Sequence, residues 1–211
     1  MEFIRARTQE QIINRQEEII HACDVLFSQS GYDGVNFKAI SKMTSFTRPS
    51  IYNYYQTKDE ILLDLLKREM LHWQADFLDI MNSTSSMTKE QYSISIAKSL
   101  QSHDKMLKLL SILFIFLEKN SRVEKIADFK KTVFHIFGTI NESVNKYFPN
   151  ASKKAKDTFT SVLFPYILGL HPMTYLSEKQ LRAVQLTGMN YTVPDFQYMC
   201  YHGILLLLSD L

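Results

Sequence analysis

Residues 34–58 read GVNFKAISKMTSFTRPSIYNYYQTK, and the fold is decided there. Asn36 can cap a short helix through about Lys42 with Phe37 and Ile40 facing inward, and Thr44, Ser45 and Phe46 make a tight connection. Thr47 can cap a further helix, expected over about Arg48 to Tyr54, with Pro49 in the first turn, where no intrahelical N–H is needed. Upstream, Ile19, Ile20, Cys23, Leu26 and Phe27 recur on one helical face. That run stops at Ser30, Gly31 and Tyr32, with Gly31 expected as a left-handed stop. Downstream, Thr57 caps a long helix to about Met81, its Asp59 and Glu60 placed where the helix dipole favours acids.

The stretch is also chemically one-sided. No acid lies between Gly34 and Lys58, whereas Lys38, Lys42, Arg48 and Lys58 fall there among Tyr52, Tyr54, Tyr55 and several hydroxyls. Basic heads meet phosphates, hydroxyls fix register on a duplex, and the Asn53 amide can read a base edge. A short helix, a turn and a second short helix present such side chains to a major groove. The competing reading is a solvated basic face. One of the three tyrosines must pack inward beside Ile51, and Tyr55 is expected to be that one.

The remaining sequence supplies a helical body. Of 211 residues 45% are apolar, and Gly and Pro are scarce, so an all-α protein is expected. Residues 1–57 would form a three-helix helix-turn-helix domain and 58–211 a larger helical bundle for ligand binding and dimerisation. Past the polar break at Asn82 to Thr88, four or five further helices fit, interrupted near His103, Asn120 to Arg122 and Pro149 to Ser152. The formal net charge of +2 excludes a general polycation. Cys23 and Cys200 are too far apart in sequence to signal a disulfide scaffold or zinc knuckle, which suits a reducing cytoplasm. Met1 to Arg15, with Arg5, Arg7 and Arg15, reads as a solvated arm lacking the apolar run of a secretory signal. Met106 to Leu117 and Gly203 to Leu208 are too short to span a membrane and are expected as buried helices.

Three segments, "IIHACDVLFSQSGYDGVNF", "KAISKMTSFTRPSIYNYY" and "QTKDEILLDLL", together resemble the N-terminal domain of the TetR family of bacterial repressors over roughly residues 12–66. By that resemblance Lys38 matches the basic position early in the second helix, and Thr47, Arg48 and Ser50 match the start of the recognition helix. Tyr54 matches its aromatic phosphate contact, and Lys58 the lysine at the N-terminus of the fourth helix. With Asn36, Tyr52 and Asn53 these form the candidate DNA-binding set. Ser45 stands where the family usually has a turn glycine and Pro49 where it often has a small residue, departures that bear on target sequence more than on DNA binding. The resemblance implies a homodimer on a near-palindromic operator, repression by promoter occlusion, and a small-molecule effector among the middle helices.

Two stripes fit a dimer interface: Phe159, Leu163, Tyr166, Ile167 and Leu170, and then Phe196, Cys200, Gly203 and Leu207, with Gly203 allowing close backbone approach. Each could instead face its own core. Trp73, Phe77, Phe114, Phe134 and Phe137 could line a ligand pocket with His135 as a polar anchor, although aromatics at helical spacing also build cores. A competing class is a di-metal carboxylate enzyme, since Glu18-x-x-His21 and Glu69-x-x-His72 each set a carboxylate and an imidazole one turn apart. It would require two more inward glutamates, and Glu118, Glu124 and Glu142 lie near helix ends or polar neighbours. A helical protein-interaction module without a DNA role would leave the basic segment unexplained. No Ser-His-Asp set or glycine-rich phosphate loop is legible, so no enzyme, cofactor or metal is expected.

Overall fold

The computed structural model describes residues 9–211, and no strand occurs among them. Arg5 and Arg7 of the expected arm lie outside the described residues. Arg15 lies inside α1 (Gln9–Gly34), because Gln, Glu and Arg are good helix formers and carry the helix upstream of its apolar face. There follow α2 (Phe37–Met43), α3 (Arg48–Ile51), α4 (Lys58–Ser83), α5 (Lys89–Ser102) and α6 (Asp104–Ser111). After a π-helical segment, Leu113–Leu117, come α7 (Val123–Tyr147), α8 (Lys153–Thr174), α9 (Glu178–Leu186) and α10 (Phe196–Leu207). Six α-helices therefore follow α4 among the described residues, not four or five. The uncounted one is α9, opened by a capping box in which Ser177 accepts from the Gln180 N–H and the Gln180 side chain accepts from the Ser177 N–H.

The described chain forms two compact units. The first holds the residues through Arg68 together with Ile112–Lys130; the second holds Glu69–Ser111 and Lys131–Leu211. Their limits fall inside α4, at the end of α6 and inside α7.

In the first unit, Ile19, Cys23, Phe27, Val35, Phe37, Ile40, Phe46, Ile51, Ile61, Leu62 and Leu65 are buried. Each large side chain so placed contributes about 1.5–3 kcal/mol. α1 is interrupted where expected, but Gly31 takes φ 63 and ψ −161, a region open essentially to glycine rather than the left-handed helical well. Asn36 Oδ1 accepts from the Ala39 N–H at 2.9 Å and so starts α2. Thr57 Oγ1 accepts from the Glu60 N–H at 3.2 Å and starts α4. The apolar stretch ending at Leu117 is only partly buried: Phe114, Ile115 and Phe116 are exposed. The wide π turn, with the Glu118 N–H donating to the Leu113 carbonyl at 2.9 Å, rotates successive side chains off the helical face that periodicity assumes.

The second unit packs α5 on α10, α10 on α8, and α8 on α6. Tyr92 lies fully inside, its ring meeting Phe77, Tyr147, Phe148 and Phe159 edge-on and its hydroxyl sharing a 2.6 Å hydrogen bond with Ser143. Gln74 Nε2 donates to Thr139 Oγ1 at 2.6 Å. α9 buries none of its residues. The two cysteines are free and buried, one in each unit; burial pushes both thiols up, Cys200 to about 12. No helix among the described residues is long and apolar enough to cross a membrane.

Candidate nucleic-acid interface

Local chemistry shapes the reading segment. Val35, Phe37, Ile40, Phe46 and Ile51 bury one side of α2, the turn and α3, which leaves the intervening positions for solvent. Lys38, Lys42, Thr47, Arg48, Pro49, Tyr52 and Asn53 are exposed on this segment. Tyr55 is fully buried, as expected, while Tyr52 is 49% exposed and meets Phe37 edge-on. Tyr54 is half-buried with its ring edge-on to Phe46.

Two expectations for α3 need correction, its extent and its cap, and three residues of the expected DNA-binding set have partners within the head. α3 ends at Ile51 rather than near Tyr54; the chain continues through turn bonds from Asn53 N–H to Ser50 O and from Tyr54 N–H to Ile51 O. Ser50 is buried, and its hydroxyl shares a 2.8 Å hydrogen bond with that of Thr47, whose side chain makes no cap bond to a backbone N–H of α3. Asn36 spends its amide on the cap of α2, with Nδ2 donating to the Gly34 carbonyl at 3.4 Å. Lys58 Nζ donates to the Tyr32 carbonyl at 2.8 Å and lies 3.7 Å from the centre of the Tyr32 ring, a cation–π contact that fixes the end of α1.

The bracing of this segment was not legible in sequence. Glu18 Oε1 accepts from the Ser45 N–H at 2.5 Å and Oε2 from its hydroxyl at 3.0 Å, so α1 holds the turn between α2 and α3. Behind the turn, Glu60 is fully buried. Arg122 Nε donates to its Oε1 at 2.7 Å and the second guanidinium nitrogen to Oε2 at 3.0 Å. Burial pushes the Glu60 carboxyl up, but Arg122 and the N–H groups of Gln56 and Arg122 outweigh it and hold it below the usual carboxylate range. Asp64 accepts from the Tyr55 hydroxyl at 2.8 Å and from Lys125 Nζ at 2.6 Å. In sequence Glu60 is a dipole-favoured acid and Arg122 a residue in a break. Pairing across 62 positions leaves no local signal.

The carboxylates of the two Glu-x-x-His pairs have other partners: Glu18 holds Ser45, and Glu69 Oε1 lies 3.9 Å from Lys105 Nζ. Among the ligand-pocket candidates, Trp73 and Phe77 stack at 5.8 Å within the core, whereas Phe134 and His135 are exposed and Phe137 is half-buried. Phe114 belongs to the other unit and is exposed, with Lys130 Nζ 5.3 Å from its ring. The dimer stripes turn inward. Phe159, Leu163, Ile167, Leu170, Phe196 and Cys200 are each at most 4% exposed and lie in the protomer's own core, while Tyr166 and Leu207 are half-buried. Gly203 admits Tyr166 rather than a partner backbone: a Cβ there would meet the Tyr166 hydroxyl at 2.0 Å, and that hydroxyl donates to the Met199 carbonyl at 2.5 Å.

A buried three-helix head presenting basic, hydroxyl and amide groups, together with a larger all-helical unit, defines a helix-turn-helix transcriptional regulator. Two family models match the chain: "Bacterial regulatory proteins, tetR family" over residues 19–65 and "Tetracyclin repressor-like, C-terminal domain" over residues 67–209. The chain belongs to the TetR family, whose members are non-enzymatic DNA-binding transcription factors.

Solved structures share the fold at low identity. The fatty acid degradation regulator FadR from Bacillus halodurans is 15% identical, with 92% of this chain and 98% of that one covered at a TM-score of 0.57. A putative transcriptional regulator from Rhodococcus sp. RHA1 is 14% identical, with 92% and 91% covered at 0.63. AmtR of Mycobacterium smegmatis is 15% identical, with 97% and 90% covered at 0.50. A comparison with curated proteins found no match.

Proposed function

We propose that this regulator is a cytoplasmic homodimeric repressor that reads a near-palindromic operator through α2 and α3 and is modulated by a small molecule. The observation that carries the DNA reading is the exposed, acid-free strip of Lys38, Lys42, Thr47, Arg48, Tyr52 and Asn53 on a buried head. Tyr54, at its edge, suits a phosphate contact, and Lys58, whose ammonium keeps two N–H donors beyond the one to the Tyr32 carbonyl, can serve another. The domain roles divide as residues 1–57 for reading and 58–211 for ligand and dimer.

For the dimer, we place the contact on the faces of α8 and α10 opposite the buried stripes. Val162, Pro165, Gly169 and Met173 on one helix, and Tyr198, Met199, His202 and Leu206 on the other, recur at helical spacing and are exposed. Leu206 is 73% exposed, so Leu206→Arg is expected to yield monomers in sedimentation velocity with unchanged helicity. An unchanged dimer moves the interface elsewhere. For the effector, the Trp73 Nε1–H is buried without an acceptor among the described residues, which suits a ligand with an apolar body and an acceptor oxygen. Trp73 is the sole tryptophan, so its fluorescence reports occupancy directly.

The deciding experiment is fluorescence anisotropy of the protein on DNA from upstream of its own gene against a scrambled duplex across a salt series. A preference of about a thousandfold is expected. Arg48→Ala should weaken operator binding by at least about 1 kcal/mol, and unchanged affinity in a folded protein removes Arg48 from the site.

A further inference from the structure

α3 has only four residues, too few to be stable alone, so its pitch on DNA is set by whatever holds its ends. At its start the Thr47 and Ser50 hydroxyls share a hydrogen bond. Its exit is held from far along the chain. The guanidinium of Arg122 donates to the Tyr54 carbonyl at 3.4 Å while also gripping both oxygens of buried Glu60. Glu60 in turn accepts from the Gln56 N–H at 2.8 Å. Thr57 Oγ1 donates to the Asn120 carbonyl at 3.0 Å, and Lys125 Nζ lies 4.5 Å from the centre of the Tyr55 ring. The planar fork of arginine holds both oxygens of a carboxylate and a backbone carbonyl in one fixed geometry, which the compact ammonium of lysine does not impose.

We propose that Arg122 is a positioning residue for operator recognition: by bridging the Tyr54 carbonyl to Glu60, it fixes the exit of α3 and thereby the sequence preference of the head. The proposal rests on the reading of α3 as the recognition helix. It separates two roles that a binding assay can resolve. A displaced recognition helix loses base readout but keeps phosphate attraction, so the specific complex weakens and the unspecific one does not.

The test uses the full chain with Arg122→Gln, Arg122→Lys and the double variant Glu60→Met/Arg122→Met, each measured for thermal midpoint and for affinity to the upstream and scrambled duplexes. Replacing both ions by apolar side chains avoids a buried unpaired carboxylate, so the double variant is expected to melt near the parent. All three are expected to lose about tenfold in preference for the upstream duplex with scrambled binding unchanged. Retained preference in the double variant overturns the proposal and leaves the pair a purely structural one. If the double variant does not fold, Arg122→Lys decides: it keeps a charge opposite Glu60 but lacks the fork that holds both Glu60 oxygens and the Tyr54 carbonyl in one geometry, so retained preference there overturns the proposal equally. Arg48→Ala run alongside distinguishes the two failures. If it too leaves operator affinity intact, the reading of α3 has failed and the proposal falls with it; if it alone is defective, only the role of Arg122 is lost.

Discussion

In the first unit the deep polar contacts are between ions: Glu60 with Arg122, Asp64 with Lys125, and Asp24 with Arg68 at 2.6 Å. In the second the deepest are neutral, Gln74 with Thr139 and Tyr92 with Ser143; Asp76 and Lys108 stay largely exposed at 60% and 54%, and the buried Lys156 ammonium donates to the neutral Asn145 Oδ1 at 3.0 Å. Charge-assisted hydrogen bonds are about twice as strong as neutral ones, and the forked pair of Arg122 with Glu60 adds geometric specificity, which suits a head whose helices must keep one geometry. The contrast also explains why a helix of four residues can persist in the first unit.

The strongest way to break this contrast is to empty the second core. Phe159 is fully buried against Tyr92, and Phe159→Ala is expected to cost about 3–5 kcal/mol in urea unfolding. A loss below 1 kcal/mol would mean that this core is not close-packed. Next come the polar pairs. Asp64→Leu strips acceptors from Lys125 and the Tyr55 hydroxyl and should cost about 1.5–3 kcal/mol. Gln74→Leu should cost nearer 1 kcal/mol, and adding Thr139→Val should bring the pair close to neutral. Equal costs in the two units would erase the distinction.

The smallest effect is a pH slope. Burial pulls the His171 imidazole below its usual value against the opposing pull of Asp104, 3.3 Å away, with Lys108 nearby adding to the downward shift. The unfolded chain therefore takes up a proton first. Stability should be full above the ordinary histidine value and decline as pH falls from there toward the lowered folded value. His171→Gln should flatten that segment of a melting-temperature profile. Glu60 behaves as a depressed carboxylate: the stability it confers is present above the ordinary glutamate value and is lost as pH falls through its lowered folded value.

What sequence could reveal follows from the range of the physics. Caps and stops act over three or four residues, so Asn36, Thr57 and the break at Gly31 were readable, as was the inward turn of Tyr55 beside Ile51. Lys38 is exposed beside buried Phe37, and Thr47 beside buried Phe46. Periodicity marks an apolar stripe without naming what covers it, which is why Phe159 and Leu163 read as an interface and proved to be core. Gly203 misled for the same reason, since the space it leaves is taken by Tyr166 from α8, a fact visible only once the two helices are packed. Glu18 and Arg122 were beyond reach altogether, because each acts on a partner far away in sequence, at 27 and 62 positions.

Both native cysteines are buried and their thiols are pushed well above neutral, so almost no thiolate is available to react at pH 7. The wild-type chain is accordingly its own silent background for site-directed labelling. A single cysteine introduced at exposed Asn53 would carry a spin label or dye on the segment of α2 and α3 without first mutating Cys23 or Cys200, so that motion there could be followed as duplex DNA is added.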